Sequence, residues 1–279
     1  MRPTVRSRRL GTRLNVHRQG KGLSGAVVAG ELGVQQPHWS KIETGKARIS
    51  PEHLKQVMEL FDVPVDEREA LEKLRQRAEE QGWWQDYGDV LSEPVQMLIE
   101  LEAAASRVST YQGSVVPGLL QTRRYAERII TAGAPHLRIG DIDRYLELRM
   151  RRQRRLQEGM QVRAVVSEAV VRWRVGGVEI YTEQLRHLIA VTQQHDVTIQ
   201  VVPFTADAHA ALGDQFAIIE WADEQDPQSV YVDGQTSWTV HERVGLIRQY
   251  LHAFASAQTA ALPVRDSLVL IESLIEELE

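Results

Sequence analysis

Over residues 10–63 the apolar positions recur at helical spacing and are cut into short runs by glycine. Leu10 and Leu14, with Arg18 in step, form a first run that stops at Gly20-Lys21-Gly22. Ser24 follows as an N-cap, and Val27, Val28 and Leu32 supply the next apolar face. Gly33 closes that helix, since glycine readily takes the positive φ of a tight turn. A third run extends from Gln35 to Thr44 and ends at Gly45, with Pro37 tolerable in its first turn. Ser50-Pro51 reads as an N-cap followed by proline at N1, opening a fourth helix whose buried stripe is Leu54, Val57, Met58 and Phe61. Two short helices joined by a glycine turn, inside a bundle of four to five helices, predict a helix-turn-helix.

Beyond this bundle the pattern changes twice. Asp66–Glu80 reads as a charged helix, ended by Gly82, with Trp83, Trp84 and Tyr87 just past it. A helix is predicted from Glu93 to about Tyr111, with Val95, Leu98, Leu101 and Ala105 on one face. Thr122 caps a helix over Arg123–Ala132, and another spans Ile139–Glu158. The arginines of the latter, Arg149, Arg151, Arg152, Arg154 and Arg155, read as a solvated face rather than as phosphate contacts. From Gln161 strands enter: Gln161–Val166, Val197–Pro203, Asp214–Trp221, Ser229–Val232 and Trp238–Val240. Helices over Val178–Gln194, His241–Ala260 and Pro263–Leu278 flank them. The prediction is an α+β chain: an N-terminal all-α helix-turn-helix bundle, a helical segment, and a mixed α/β C-terminal domain with a mostly antiparallel sheet. The boundaries fall at 1–65, 66–92 (connecting helix and Trp-Trp junction) and 93–279.

Composition narrows the chemistry. The 279 residues contain no cysteine, which excludes disulfides, thiolate metal sites and cysteine nucleophiles. No apolar run reaches the ~18–20 residues of a membrane span, and the start, Met1 to Arg6, is basic without an apolar stretch. The expectation is a cytoplasmic protein without membrane contact. The net charge of −5 is unevenly spread: residues 1–55 hold eleven Lys and Arg against three acids, a balance of +8 that leaves −13 for the rest. A basic head on an acidic body is the asymmetry of a nucleic-acid module joined to something that does not touch nucleic acid.

Leu23-Ser24 through Ala29, Leu32-Gly33-Val34, Ser40 to Gly45 and Pro51 resemble the helix-turn-helix of the Cro and phage-repressor (xenobiotic-response-element) type, over about residues 7–63. Gly25 stands where that family usually has Gln. The body is similar to the domain behind such a helix-turn-helix in WhiJ-like regulators of actinobacteria. The similarity rests on Gly82-Trp83-Trp84, Thr110-Tyr111-Gln112, Val116 to Thr122, Val166 to Ala169, Gln184 to Leu188, Val201 to Phe204 and Val230-Tyr231-Val232. The resemblance implies a transcriptional regulator, often a repressor of developmental or specialised-metabolism genes. It further implies a partner: a small protein encoded by a neighbouring gene, in an antitoxin-like pairing. A small-molecule effector is the other expected input, and an antitoxin-like interaction module with secondary DNA binding is the alternative function.

A recognition helix presents its N-terminal residues to base edges in the major groove. Here those are Gln35, Gln36, His38 and Lys41; Gln pairs bidentately with adenine and Lys favours guanine. Ser24, Ser40, Lys46 and Arg48 are the phosphate contacts that set register. The resemblance places Trp39 in the core and pairs Arg18 with Glu43. Single helix-turn-helix units bind as dimers, so a homodimer on palindromic double-stranded DNA is expected. Trp83, Trp84, Tyr111 and Leu120 are the candidate lining of an effector or partner site. Catalytic patterns fail: His241-Glu242-Arg243-Val244-Gly245 lacks the second His of a zinc protease, and no phosphate loop or nucleophile elbow is present. His195/Asp196 and Asp207/His209 read as surface pairs. No enzyme activity, metal or cofactor is expected.

Overall fold

The helical spacing of the first eighty residues is realised as five helices: α1 (Val5–Gly20), α2 (Gly25–Glu31), α3 (Gln36–Glu43), α4 (Pro51–Leu60) and α5 (Val65–Glu79). They are seen in a computed structural model that describes residues 4–79, 82–88, 91–133, 139–222, 228–234 and 238–278. Glu80, the expected end of α5, lies outside the described residues. Side-chain caps start three of these helices. Thr4 and Ser7 form a reciprocal capping box on α1, with Ser7 N–H donating to Thr4 Oγ1 at 3.1 Å. Ser24 and Ser50 cap α2 and α4, accepting from Val27 and His53 N–H groups. The helices enclose one core, with Leu14, Val28, Trp39, Leu54, Val57 and Leu71 essentially without solvent contact.

The chain divides into two units, residues 1–85 and 86–279. The second begins with α6 (Glu93–Ala104) and β1 (Arg107–Gln112), then α7 (Arg123–Gly133) and α8 (Ile139–Gln157). β2 (Gln161–Ser167), α9 (Glu168–Arg172), α10 (Val178–Gln194) and β3 (Val197–Val202) follow. It closes with β4 (Phe216–Glu220), β5 (Ser229–Asp233), β6 (Trp238–His241), α11 (Val244–Ala260) and α12 (Val264–Glu276). Thr122 caps α7 as expected, its hydroxyl accepting from Tyr125 N–H at 3.3 Å. With the helical head, this gives an α+β chain.

The six strands form one sheet in the order β3-β2-β1-β4-β5-β6. β1, β2 and β3 run parallel, and the β1–β4, β4–β5 and β5–β6 pairs are antiparallel. Three of the five pairings are antiparallel, as the sequence reading expects; one feature adds to that reading and one corrects it. The sheet has a parallel half, because α7–α8 and α9–α10 are crossovers that return the chain in the same direction. And the helix expected to reach Tyr111 stops at Ala104, leaving residues 107–112 as the central strand. Val108 to Tyr111 are all buried, so β1 lacks the alternation that marks a half-exposed strand.

The two faces of the sheet are covered differently. Tyr111, Phe216, Ile218 and Val230 lie on one face and pack with Ile247, Phe254 and Ala257 of α11. Thr110, Ala217 and Tyr231 align across β1, β4 and β5 on the opposite face. Among the described residues no helix is long and apolar enough to cross a membrane.

Candidate functional site

The third helix is held by backbone packing as much as by side chains. A Cβ on Gly11 of α1 would lie 2.3 Å from the Glu43 carbonyl oxygen and 2.6 Å from that of Ile42, so only glycine permits this approach. Gly45, at φ +71°, turns the chain away immediately afterwards, and a Cβ there would sit 2.6 Å from Arg8 N. Ser7 closes the junction by donating its hydroxyl to Gly45 O at 2.9 Å. Arg18 Nε meets Glu43 Oε1 at 2.6 Å, and its Nη1 donates to Leu23 O at 2.6 Å. That one side chain ties α1, the α1–α2 turn and the end of α3 together. Gly11→Ala is expected to cost about 1–3 kcal/mol by overpacking, read as a lower denaturation midpoint for the N-terminal unit.

Trp39 is fully buried and meets Phe61 edge to face, with centroids 6.3 Å apart. Its indole also accounts for Gly25: a Cβ there would lie 3.3 Å from Trp39 Cδ1, a tight contact that glycine avoids. Burying Trp39 turns the polar residues of α3 outward. Gln35, Gln36, His38, Ser40 and Lys41 are all exposed, as are Lys46 and Arg48 after the helix. Gln35 is the N-cap residue of α3 and makes no side-chain capping bond. Ser24 is exposed at the start of α2, its oxygen engaged in the cap.

The C-terminal unit contains a separate cleft of about 260 Å³ over the face of the sheet that carries Thr110, Ala217 and Tyr231. Leu98, Val108, Leu119 and Ile129 contribute apolar wall, and Gln112, Gln121 and Gln215 contribute amides. Its charged lining among the described residues is Glu102, Arg149 and Arg152. Glu102 and Arg152 are both buried and form a two-pronged pair, Nε–Oε2 and Nη2–Oε1 each 2.7 Å. Arg149 Nη1 donates to Gln121 Oε1 at 2.6 Å. The Gln121 amide nitrogen donates to Val116 O at 2.7 Å, which fixes its oxygen toward Arg149. Nearby, Tyr125 takes a hydrogen bond from Val116 N–H, and burial pushes its phenol above the ordinary tyrosine range.

The residues singled out in the sequence for an effector site do not line this cleft. Tyr111 is buried on the α11 face, 5.2 Å ring to ring from His209, and Leu120 is fully buried beside the cleft-lining Leu119. Trp83 and Trp84 belong to the N-terminal unit and meet edge to face at 5.9 Å, with Trp84 folded over Gly82. Of the α8 arginines read as a solvated face, Arg154 is exposed, and others are engaged. Arg152 is buried, Arg149 lines the cleft, and Arg155 donates to Ala105 O at 2.8 Å. Their i, i+3 spacing turns Arg149 and Arg152 to one side of α8; nothing in the sequence said that Glu102 and Gln121 would meet them.

Residues 9–71 match the model of a helix-turn-helix domain. Residues 95–273 match that of a domain of unknown function, DUF5753. The chain belongs to the DUF5753 family. No curated protein matches it. With a helix-turn-helix domain in front, this DUF5753 protein is a DNA-binding regulator. His241, the start of the failed zinc-protease string, ends β6 and stacks on Tyr250 at 5.6 Å. Among the described residues no three His, Asp or Glu side chains gather as a metal site.

Proposed function

We propose that this DUF5753 protein is a dimeric, sequence-specific repressor of the Cro type that acts in the cytoplasm on palindromic DNA. Gln35, Gln36, His38 and Lys41 read bases, while Ser24, Ser40, Lys46 and Arg48 hold phosphates. Residues 1–65 are the DNA-binding domain, 66–92 the connection, and 93–279 a WhiJ-like domain that dimerises and receives the controlling signal, a metabolite or a small partner protein. The observation that carries the reading is the polarity of α3. Its buried side is Trp39 and Ile42, its outer side carries Gln36, His38, Ser40 and Lys41, and the Arg18–Glu43 pair fixes its angle.

The test is fluorescence anisotropy with duplexes tiling the gene's own upstream region, at two salt concentrations. One duplex is expected to bind at nanomolar level, with the others about 10³-fold weaker. Gln36→Ala is expected to cost about 1–3 kcal/mol on that duplex and little on the others. Lys46→Ala is expected to weaken all duplexes evenly and make the salt dependence shallower. Weak, uniform binding abolished by salt sinks the proposal and puts an antitoxin-like interaction module in its place.

A further inference from the structure

We infer that β6 is the dimer interface of the C-terminal unit: it pairs antiparallel with β6 of a second copy and joins two six-stranded sheets into one. The inference rests on the dimer of the proposed function and names the surface that makes it.

The two edges of the sheet are finished differently. At one edge β3 is closed from within the chain. Ser267 Oγ accepts from Val201 N–H at 2.9 Å, Leu262 N–H donates to Val201 O at 2.9 Å, and the Gln200 amide donates to Leu262 O at 3.0 Å. At the other edge β6 pairs with β5, in the register Val230↔His241, Tyr231↔Val240, Val232↔Thr239 and Asp233↔Trp238. Alternate residues of an antiparallel strand turn their N–H and C=O away from the neighbour they pair with. Two of the four residues of β6 therefore aim both main-chain groups outward, and among the described residues nothing receives them. Natural sheets blunt an open edge with Lys, Pro, a bulge or a cover. Trp238-Thr239-Val240-His241 contains neither Lys nor Pro, and Trp, Thr and Val are strand formers.

Charge selects a second copy as the occupant. The chain beyond residue 55 carries −13, so two such bodies repel unless they meet where charge is absent. Gly234 to His241 is a run of eight residues without Asp, Glu, Lys or Arg. This strand offers a foreign partner no charge to read and its own copy no charge to repel it. Each chain also has one recognition helix, and a palindrome takes two.

Symmetry fixes what meets across the join. A two-fold that exchanges identical antiparallel strands stands perpendicular to the sheet, so every residue keeps its face. Centred on Thr239 or on Val240, the pairing sets the exposed Thr239 against Thr239 or His241 of the second copy. That is the face on which His241 stacks on Tyr250 of α11. On the opposite face Trp238 and Val240, both half-buried, meet those of the second copy and leave solvent. Val244, three residues past the strand and 57% exposed, adds apolar surface beside the join.

Sedimentation equilibrium of the full chain tests this, with wild type expected as a dimer. Thr239→Lys and Thr239→Glu each set like charges across the join, and each is expected to weaken dimerisation at least about tenfold. An equimolar mixture of the two is expected to restore it as a mixed dimer. Hydrogen exchange needs no variant: two of the four amides of Trp238 to His241 are expected to exchange at least about tenfold faster in the dilute monomer than in the dimer. A wild type that sediments as a monomer overturns the inference together with the proposed dimer. A dimer that both variants leave intact overturns the β6 interface alone, as does a mixture that associates no better than either variant. So do β6 amides that exchange alike in monomer and dimer.

Discussion

Trp39→Ala is expected to destabilise the N-terminal unit by about 3–5 kcal/mol, the usual cost of removing a large aromatic side chain from a packed core. The indole has no solvent contact, touches Phe61 and fills the space beneath Gly25, so its loss leaves a cavity that five short helices cannot close without moving α2 against α3. A loss of this size is a large share of the stability of a small domain. Trp39→Phe is expected to cost much less. It keeps the ring packing and removes an indole N–H that is buried with no hydrogen-bond partner. Urea denaturation of the full chain, with hydrogen exchange of the α3 amides as the local readout, separates the two variants. A Trp39→Ala protein with an unchanged midpoint and protected α3 amides contradicts the core assignment. Loss of operator affinity in the same variant follows from misplacing Gln36 and Lys41, not from losing a base contact.

The second large effect is expected at Glu102. Glu102→Ala leaves the Arg152 guanidinium buried without its carboxylate, which costs about 3–5 kcal/mol. The double replacement Glu102→Leu with Arg152→Met removes both charges at similar volume and is expected to recover most of that loss. The C-terminal transition in denaturant reads the three proteins directly. If the single and double variants fall equally, the pair is not the electrostatic unit its 2.7 Å contacts describe.

The head was legible because each of its signals is local. Ser24 and Ser50 announce their helices, Gly33 and Gly45 end theirs, and the apolar spacing identifies the buried faces. Gly25 and Trp39 were visible as residues, but their mutual dependence was not, because it is a contact between two helices. In the body, helix α10 was read with its observed bounds from spacing alone. Strand β1 was misread because Leu98 and Leu101 begin a helical pattern and Val108 to Tyr111 are buried on both faces, so no alternation of period two corrects it. The cleft was out of reach for a related reason. Its residues come from α6, β1, the segment before α7, α7 itself, α8, β4 and β5, each of which reads locally as ordinary surface or core. Thr110 and Leu119 line the cleft, each next in sequence to one of the candidates Tyr111 and Leu120.

The central place of β1 also dictates when the body can form during synthesis. Thr110 Oγ1 donates to Phe216 O at 2.8 Å across 106 residues of chain, and Arg107 reaches Glu220 at 3.0 Å across 113. Until β4 has left the ribosome, β1 has its parallel partner β2 on one edge and nothing on the other. The head closes sooner, since even the pairing of its first and last helices, marked by the bond from Arg6 to Arg77 O, spans only 71 residues. Low contact order favours early, rapid folding, and long-range strand pairing is slow. A nascent chain therefore has a closed helical head well before its sheet is complete, and β1 spends that interval with an unsatisfied edge.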